Sequence, residues 1–241
     1  MNKLLVANLK MNLTYKGIKN YYEVLQDELM DPNLIICPTA LYLPYLSGKK
    51  VNTGCQNIFF EEEGAYTGEI SPRQLKGIGV KYTLVGHSER RQFFGDTDVF
   101  VNKKMVAAFD NHLIPILCVG ETSAEHGLRR TNTVLKDQIK GALFHIKEDD
   151  MGPMIIAYEP VWAIGTGVIP TMEEIQKACE QIHFIMDHYY QKKVKVLYGG
   201  SVNETNIQDI LTLDPVDGVL VGGASVDAKK FLKLIEVAKK V

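Results

Sequence analysis

The sequence predicts an α/β protein in which eight parallel strands close into a (β/α)8 barrel. Short β-rich apolar runs recur along the chain, and a helical segment follows each of them. The runs begin near Leu4, Asn33, Lys50, Lys81, Leu113, Met154, Lys193 and Gly218. Most of these runs are apolar throughout, which is typical of strands that are covered on both faces. The length of 241 residues suits one such barrel, so we expect a single domain over residues 1–241.

Two of the helices are predicted from their apolar periodicity. The segment 96–112 places polar residues between the apolar side chains of Val99, Met105, Val106 and Phe109. The segment 172–190 has a period close to 3.6 residues, and its apolar positions are Ile175, Ala178, Cys179, Ile182, Ile185, Met186 and Tyr189. Thr171 and Glu174 have the spacing of a capping box, which predicts that this helix begins at Met172.

The segments 203–213 and 227–241 complete the set of clear helices. The helices after the second and third strands have weak patterns, so an open, doubly wound sheet stays the alternative architecture. In either architecture the chemistry belongs at the carboxyl ends of the strands.

The composition argues against several classes of partner. With 27 Lys and Arg against 29 Asp and Glu, the formal net charge is −2, which gives no electrostatic reason to expect nucleic acid or an anionic membrane. No run of about 18 apolar residues that could span a bilayer occurs. The start of the chain has only four consecutive apolar residues, too few for the core of a signal peptide.

The four cysteines are far apart and form no C-x-x-C motif; they are Cys37, Cys55, Cys118 and Cys179. This spacing favours buried reduced thiols over disulfides or a zinc site. We therefore expect a cytosolic globular protein.

The first strand ends in a polar, basic stretch. The side-chain period of a strand puts Asn8 and Lys10 on one face and Leu9 on the other. In a barrel the face with Lys10 would point inward, where a lysine is costly unless an anion meets it. The alternative is a lysine that extends from the strand end into solvent.

The fourth strand is followed by a histidine and a dense run of charges. His87 at this strand end is a candidate acid or base. A short helix that starts at Ser88 would disfavour protonated His87 through its N-terminus. The alternatives are a structural histidine bonded to a backbone carbonyl and, for Glu89 to Arg91, a solvated charge run.

The sixth strand delivers a carboxylate into an unusual loop. Glu159 is followed by Pro160 and then by Val161 to Gly167, which contains the only tryptophan and ends in Gly-Thr-Gly. Pro160 stiffens one end of the loop, and the glycines permit positive φ at the other end. We interpret the apolar segment as a lid that excludes water above a working carboxylate. The alternative is an ordinary packed loop.

Paired glycines follow the last two strands. They are Gly199-Gly200, before Ser201, and Gly222-Gly223. Such glycines let backbone N–H groups approach an anion, and the loops after strands seven and eight often hold phosphate in barrels. The pattern predicts a small phosphate ester as the substrate.

At these positions the chain resembles the triosephosphate isomerase family. The matching motifs follow one another in the family's order and cover essentially the whole chain. They are Asn8 to Asn12, Gln56-Asn57, Gly64 to Glu69, Val85 to Arg91, Cys118 to Glu121, Ala157 to Gly167, Tyr198 to Val202 and Leu220 to Ser225. The family is itself an established example of pKa tuning and loop closure.

The resemblance implies the TIM-barrel fold and a cytoplasmic aldose–ketose isomerase of glycolysis and gluconeogenesis. Its reaction would interconvert dihydroxyacetone phosphate and D-glyceraldehyde 3-phosphate through an enediolate, with no metal or organic cofactor. The implied roles are a base for Glu159, a neutral electrophile for His87, substrate contacts for Asn8 and Lys10, and a supporting charge for Glu89. The implied phosphate contacts are Gly165, Ser201, Gly222 and Gly223.

The resemblance also implies a homodimer. The loop Ile58 to Glu69 would insert into the neighbouring subunit and bring Thr67 near that subunit's site. Phe59 and Phe60 on this loop would be a liability if exposed, and a two-fold interface would bury them. The alternative is an Ω-loop folded onto its own barrel.

Two departures from the family pattern stand out. Leu9 replaces a usual aromatic residue, and we expect a packing difference because it faces away from Lys10. The segment Ser123 to Asn132, which contains His126, leaves the local helix geometry open. The rival functions are a sugar-phosphate aldolase that uses Lys10 as a Schiff-base nucleophile, a metal-dependent epimerase and a non-catalytic phosphate-binding barrel.

Overall fold

A computed structural model describes residues 2–241 and contains one parallel eight-stranded sheet within them. The strands are β1 (Leu4–Asn8), β2 (Leu34–Cys37), β3 (Gly54–Cys55), β4 (Tyr82–Val85), β5 (Ile114–Val119), β6 (Ile155–Tyr158), β7 (Lys195–Tyr198) and β8 (Gly218–Val221). Their order in the sheet is β2-β1-β8-β7-β6-β5-β4-β3. A parallel bridge between Ile36 and Thr53 joins the two ends. The predicted (β/α)8 barrel is therefore confirmed, and the open sheet is excluded.

At least one helix follows each strand along the chain. They are α1 (Tyr15–Leu25), α2 (Leu43–Ser47), α3 (Pro72–Gly77), α4 (Ser88–Phe93), α5 (Asp98–Asp110), α6 (Ser123–Gly127), α7 (Thr131–Ala142), α8 (Met172–Tyr190), α9 (Ile207–Thr212), α10 (Gly223–Val226) and α11 (Ala228–Ala238). Short 3-10 turns occupy Ala40–Tyr42, Glu148–Asp150 and Val161–Ala163. The weak patterns after β2 and β3 correspond to α2 and α3, which have five and six residues.

The ends of α8 agree with the prediction, whereas α9 begins later than predicted. The capping box of Thr171 and Glu174 is present at the start of α8. The segment predicted to be helical from Asn203 instead opens with a turn, because Asn203 Oδ1 accepts the N–H of Thr205 at 2.9 Å. A side chain that bonds to the backbone in this way competes with helix formation.

The side chains of the strands divide into two buried layers. One layer fills the barrel and includes Val6, Ile35, Leu84, Ile116 and Leu220. The other lies between the strands and the helices, and Leu9 belongs to it with no exposed surface. The expectation that Leu9 faces away from Lys10 is therefore confirmed.

Three residues predicted to be in the core are exposed. Val99 is 65% exposed and Val106 is 40% exposed on α5, and Tyr189 is 40% exposed on α8. Helix α5 instead buries Lys104, whose ammonium group contacts both carboxylate oxygens of Asp96 at 2.8 and 2.7 Å. The ion pair turns a polar position inward, and apolar periodicity alone does not register such a pair.

The four cysteines are buried and have free thiols. Burial raises the pKa of Cys55 to about 11, which keeps its thiol protonated at neutral pH. Among residues 2–241, no helix is both long enough and apolar enough to cross a membrane.

Candidate active site

A cavity of about 300 Å³ lies at the carboxyl ends of the strands. The ends of β1, β4, β6, β7 and β8 contribute its walls. Eight of the residues selected from the sequence line it: Asn8, Lys10, His87, Glu159, Gly165, Ser201, Gly222 and Gly223. Glu89 does not line this cavity, but its carboxylate contacts the ammonium group of Lys10. Thr67 is exposed on the loop Ile58 to Glu69.

Glu159 and His87 form a buried pair beside this cavity. Oε1 of Glu159 lies 3.1 Å from Nε2 of His87, and the two residues are 2% and 5% exposed. Oε2 of Glu159 accepts the backbone N–H of Ser88 at 3.0 Å. Both oxygens of the carboxylate therefore have a donor, which a buried carboxylate requires.

The protonation of His87 is set by its neighbours. His87 is the N-cap of α4, and its Nδ1 accepts the N–H of Glu89 at 3.2 Å. The hydrogen-bonding pattern therefore assigns the proton of the neutral ring to Nε2, facing Glu159. Burial lowers the pKa of His87, but the adjacent carboxylate of Glu159 outweighs burial and raises this pKa above its ordinary value.

The same contact acts on Glu159 with the opposite sign. Burial raises the pKa of the carboxyl, but His87 and the N–H of Ser88 bring it below its ordinary value. Both net shifts depend on contact between the two side chains. If a ligand separated them, burial would dominate and would move each pKa in the other direction.

The backbone around Glu159 needs two glycines for close approach. A Cβ at Gly120 would lie 1.8 Å from the carbonyl oxygen of Glu159, and a Cβ at Gly199 would lie 2.9 Å from its Cγ. These contacts are shorter than any real Cβ makes, so only glycine fits at both positions. The neighbouring backbone thus approaches closely enough to fix the part of the Glu159 side chain that is nearest the main chain.

Lys10 is held in an uncommon backbone conformation. Its φ is +50°, in the left-handed region, and its N–H donates to Asn8 Oδ1 at 3.0 Å. Gln56 fixes the other side of the peptide, because its Nε2 donates to the carbonyl oxygen of Lys10 at 2.9 Å. The ammonium group lies 2.6 Å from Glu89 Oε1. Such strain persists where surrounding contacts determine the conformation, as they do at this cavity.

The glycines after β7 and β8 form the opposite wall. A Cβ at Gly222 would lie 3.1 Å from Cε of Lys10, so this glycine leaves room for the lysine side chain. A Cβ at Gly200 would lie 2.1 Å from the hydroxyl oxygen of Tyr198. Ser201 donates from Oγ to the carbonyl oxygen of Ala163 at 2.8 Å, which links this wall to the loop after Glu159.

The loop after Glu159, here called the lid segment (residues 161–169), is packed at its base and exposed at its tip. Trp162 donates from Nε1 to Glu121 Oε1 at 2.8 Å, and Ala163 is fully buried. Residues 165–169 are exposed, and Gly165 and Gly167 have φ of +71° and +78°. The predicted positive φ of the glycines is thus present at the tip.

Several contacts at the site escaped the sequence analysis. The N–H of Ser88 and the amide of Gln56 were not assigned a role, although both lie in motifs that had been recognised. The interpretation of Arg90 and Arg91 as a solvated charge run is wrong. Arg90 Nε donates to buried Asp96 at 3.1 Å, and Arg91 Nε donates to the carbonyl oxygen of Gly86 at 2.9 Å. The acidic partner of Arg90 lies six residues away, beyond a glycine turn.

Residues 3–238 match the family model described as triosephosphate isomerase. A triosephosphate isomerase of Clostridium tetani (strain Massachusetts / E88) is 40% identical over 242 residues, covering 96% of this chain and 95% of the relative. A triosephosphate isomerase of Clostridium botulinum (strain Okra / Type B1) is also 40% identical, covering 96% of this chain and 98% of the relative. Within residues 2–241, no cluster of three or more His, Cys, Asp or Glu side chains is placed to hold a metal ion.

Proposed function

The chain belongs to the triosephosphate isomerase family, and we propose that Glu159 is the base with which it interconverts dihydroxyacetone phosphate and D-glyceraldehyde 3-phosphate. This aldose–ketose isomerisation is a step of glycolysis and gluconeogenesis. One observation carries the assignment of the base: the buried contact between Glu159 and His87 beside a cavity that also contains Lys10. The proposal takes residues 1–241 as a single domain working in the cytoplasm, a reducing compartment that suits the free thiols.

The reaction moves a proton between two adjacent carbons, so one group must both remove and return it. A substrate that enters between Glu159 and His87 breaks their contact and leaves the carboxylate buried. Burial then raises the pKa of Glu159 toward the working pH, where a general base is most effective. The geometry thus supports a base that becomes stronger when the site is filled.

Removal of that proton develops negative charge on the substrate oxygens. His87 supports this charge as a neutral donor, because its Nε2 has the proton and its Nδ1 is occupied by the N–H of Glu89. Lys10 adds a full positive charge and Asn8 adds a polar contact from the same wall. Donors fixed before the reaction stabilise an enediolate without reorganisation.

The phosphate group is assigned to the wall formed by Gly165, Ser201, Gly222 and Gly223. Backbone N–H groups at such glycines can approach an anion closely. Ser201 already contacts the lid segment through Ala163, so a phosphate at this wall would touch both the barrel and the lid. Closure of the lid over it would exclude water and suppress loss of phosphate from the enediolate.

We assign Glu89 a supporting role and propose a homodimer. A second cavity of about 330 Å³ adjoins the site and is lined by Gln56, Glu89 and Met11, the last of which is 92% exposed. The buried hydroxyl of Thr39 at its wall has no hydrogen-bond partner among the described residues. A partner's loop Ile58 to Glu69, with Thr67 at its tip, would fill this cavity.

Phe59 and Phe60 do not depend on a two-fold interface for their burial. They are half-buried because they stack on each other at 4.2 Å, and Phe60 stacks on Phe100. Exposed aromatic side chains include Tyr66 on the same loop and Phe93 and Phe94 on and next to α4. Sedimentation of active enzyme should yield about twice the mass of the 27.0 kDa chain, and a fully active 27.0 kDa species would contradict the dimer.

An aldolase is the rival that uses the same lysine. Its mechanism needs the neutral amine of Lys10 as a nucleophile, whereas the structure holds this group in an ion pair with Glu89. Borohydride reduction with dihydroxyacetone phosphate separates the two functions. An aldolase should be trapped with an added mass on Lys10, and the isomerase should stay unmodified.

Solvent exchange tests the proposed reaction directly. Dihydroxyacetone phosphate in deuterated water should gain deuterium at the carbon next to its carbonyl and should appear as glyceraldehyde 3-phosphate. Phosphate release without deuterated product would contradict the proposal. The Glu159→Gln enzyme is the matched control, because it keeps the size of the side chain but cannot accept the proton.

A further inference from the structure

The base of the lid segment is held by a contact between Trp162 and His126. The imidazole of His126 stacks on the indole with ring centroids 4.1 Å apart and an interplanar angle of 26°. Trp162 is the only tryptophan of the chain. His126 lies on α6, in the segment Ser123 to Asn132 whose sequence departs from the family pattern. The lid therefore begins at an aromatic stack on α6.

A buried carboxylate completes the arrangement. Glu121 has no exposed surface, and its Oε1 accepts hydrogen bonds from Tyr158 Oη at 3.1 Å and from Trp162 Nε1 at 2.8 Å. Nδ1 of His126 lies 3.5 Å from this same oxygen. The other oxygen, Oε2, has no hydrogen-bond partner among the described residues. Glu121 thus has unused capacity to accept a proton donor.

Charged groups of both signs surround the ring of His126. Glu121 faces Nδ1, and Glu174 of α8 lies 3.8 Å from Nε2. Arg129 and Lys177 are the cations that line the same cavity of about 410 Å³. The two carboxylates make the close contacts. The indole face of Trp162 adds a further site of attraction for a cation.

We propose that His126 is a positioning residue for the lid, and that its protonation holds Trp162, and with it the lid segment, in the exposed arrangement. This inference rests on the proposed function, because it assumes that a phosphate ligand draws the lid over the cavity. Closure must move Trp162 away from the stack on His126 and from its hydrogen bond to Glu121. A positive charge on the imidazole strengthens the stack by its attraction to the indole face, whereas a neutral ring leaves the stack without this attraction.

The expected effect is modest and directional. A cation–π contact between a charged imidazole and the indole favours the arrangement by a factor of about two to five. Ligand affinity should therefore be about two- to five-fold lower at a pH of about 5.5 than at about 8, beyond any effect common to all variants, because this range is the one in which imidazoles ordinarily change charge. The ionisations of the phosphate ligand and of His87 also contribute in this range, but they are shared by wild type and variants at each pH.

The test uses the fluorescence of Trp162 during titration with glycerol 3-phosphate, a phosphate ester that lacks the reactive carbonyl. His126→Phe keeps an aromatic ring on Trp162 but cannot be charged, and it should bind with a smaller pH dependence than wild type. His126→Arg is charged at every pH of the titration. At high pH its affinity for the ligand should be lower than that of His126→Phe by about the factor that separates wild type from His126→Phe at low pH. His183→Gln is the control, because His183 is also 36% exposed and lies 3.7 Å from Asp217, away from the lid.

Two results would overturn the inference. One is an equal pH dependence of affinity in wild type and His126→Phe. The other is tryptophan fluorescence that does not respond when calorimetry shows that ligand binds. Absence of binding in every variant at every pH would instead contradict the proposed function. In that event the fluorescence of the unliganded protein, measured as a function of pH, still tests whether the charge of His126 acts on Trp162. The same fluorescence curve in wild type and His126→Phe would refute that effect.

Discussion

Oε1 of Glu159 lies 3.1 Å from Nε2 of His87, and this contact is the largest effect that opposes burial in setting the pKa of both residues. The carboxylate is fully ionised and doubly hydrogen-bonded while the contact lasts. In the proposed mechanism, a substrate that replaces the contact makes Glu159 a stronger base and leaves His87 as a neutral donor. The assignment of Glu159 as base and His87 as donor therefore follows from the surroundings of each side chain, both in contact and after a ligand separates them.

Removal of the imidazole should shift the pH profile in a defined direction. In His87→Asn the ionised carboxylate loses its neighbour, so burial dominates and the pKa of Glu159 rises in the free enzyme. The acid limb of kcat/KM, measured on the residual activity, should move to higher pH. His188→Gln, on the exposed side of α8, should leave the limb unchanged. An acid limb that stayed in place or moved to lower pH would contradict the coupling.

Loss of the cation at the first strand should weaken the transition state. Lys10→Met removes the positive charge of that wall, and kcat/KM should fall by at least the ~1.5–3 kcal/mol of a charged hydrogen bond. The thermal midpoint should change little, because the partner Glu89 is 39% exposed and stays hydrated. Lys19→Met on an exposed face is the control. Unchanged kcat/KM would show that Lys10 does not meet the substrate.

The lid can be tested apart from the base. Alanine at residues 165–167 places Cβ atoms at φ of +71° and +78°, which costs about 1–2 kcal/mol per residue in a left-handed conformation. The fold should persist while closure is impaired, so more of the enediolate should lose phosphate to give an elimination product. Gly79→Ala, at φ +79° with open space around it, controls for backbone strain alone. A variant without extra elimination product would remove the main support for the lid.

The buried ion pair of α5 should be costly to break. Lys104→Met removes the buried cation and leaves Asp96 with only the partly exposed Arg90. The free energy of unfolding should therefore fall by an amount near the lower end of the about 3–5 kcal/mol that breaking a buried pair costs. The double variant Lys104→Met with Asp96→Asn should recover part of this loss, because no buried charge is left alone. Urea denaturation measures both. Equal losses in the single and double variants would show that packing, and not charge, is responsible.

The features that could be predicted from the sequence are those that depend on the ends of strands and on clear helix caps. Parallel strands present their carboxyl ends at one edge of the barrel, so Lys10, His87 and Glu159 could be brought to one cavity from their positions in the pattern alone. The start of α8 could also be predicted from the sequence, because its capping box is a local signal. These features require no knowledge of distant contacts.

The remaining features depend on contacts between distant segments. Helix α5 exposes Val99 and Val106 and buries Lys104 against Asp96, and apolar periodicity does not register such an ion pair. Closure of the barrel depends on one bridge at Thr53, next to a strand of only two residues. The stack of His126 on Trp162 joins helix α6 to the lid segment and has no local signature in the sequence.

The central claim is that Glu159 transfers the proton, and the rates of its Asp and Gln variants test it most directly. Glu159→Asp keeps the charge but retracts the carboxylate by about 1 Å, which should lower kcat on the order of 10²-fold. KM should change much less, because the proposed phosphate contacts at Gly165, Ser201, Gly222 and Gly223 hold the substrate without this group. Glu159→Gln should be slower still, with a thermal midpoint near that of wild type. If Glu159→Gln were instead faster than Glu159→Asp, Glu159 would be a structural carboxylate and the assignment of the base would be wrong.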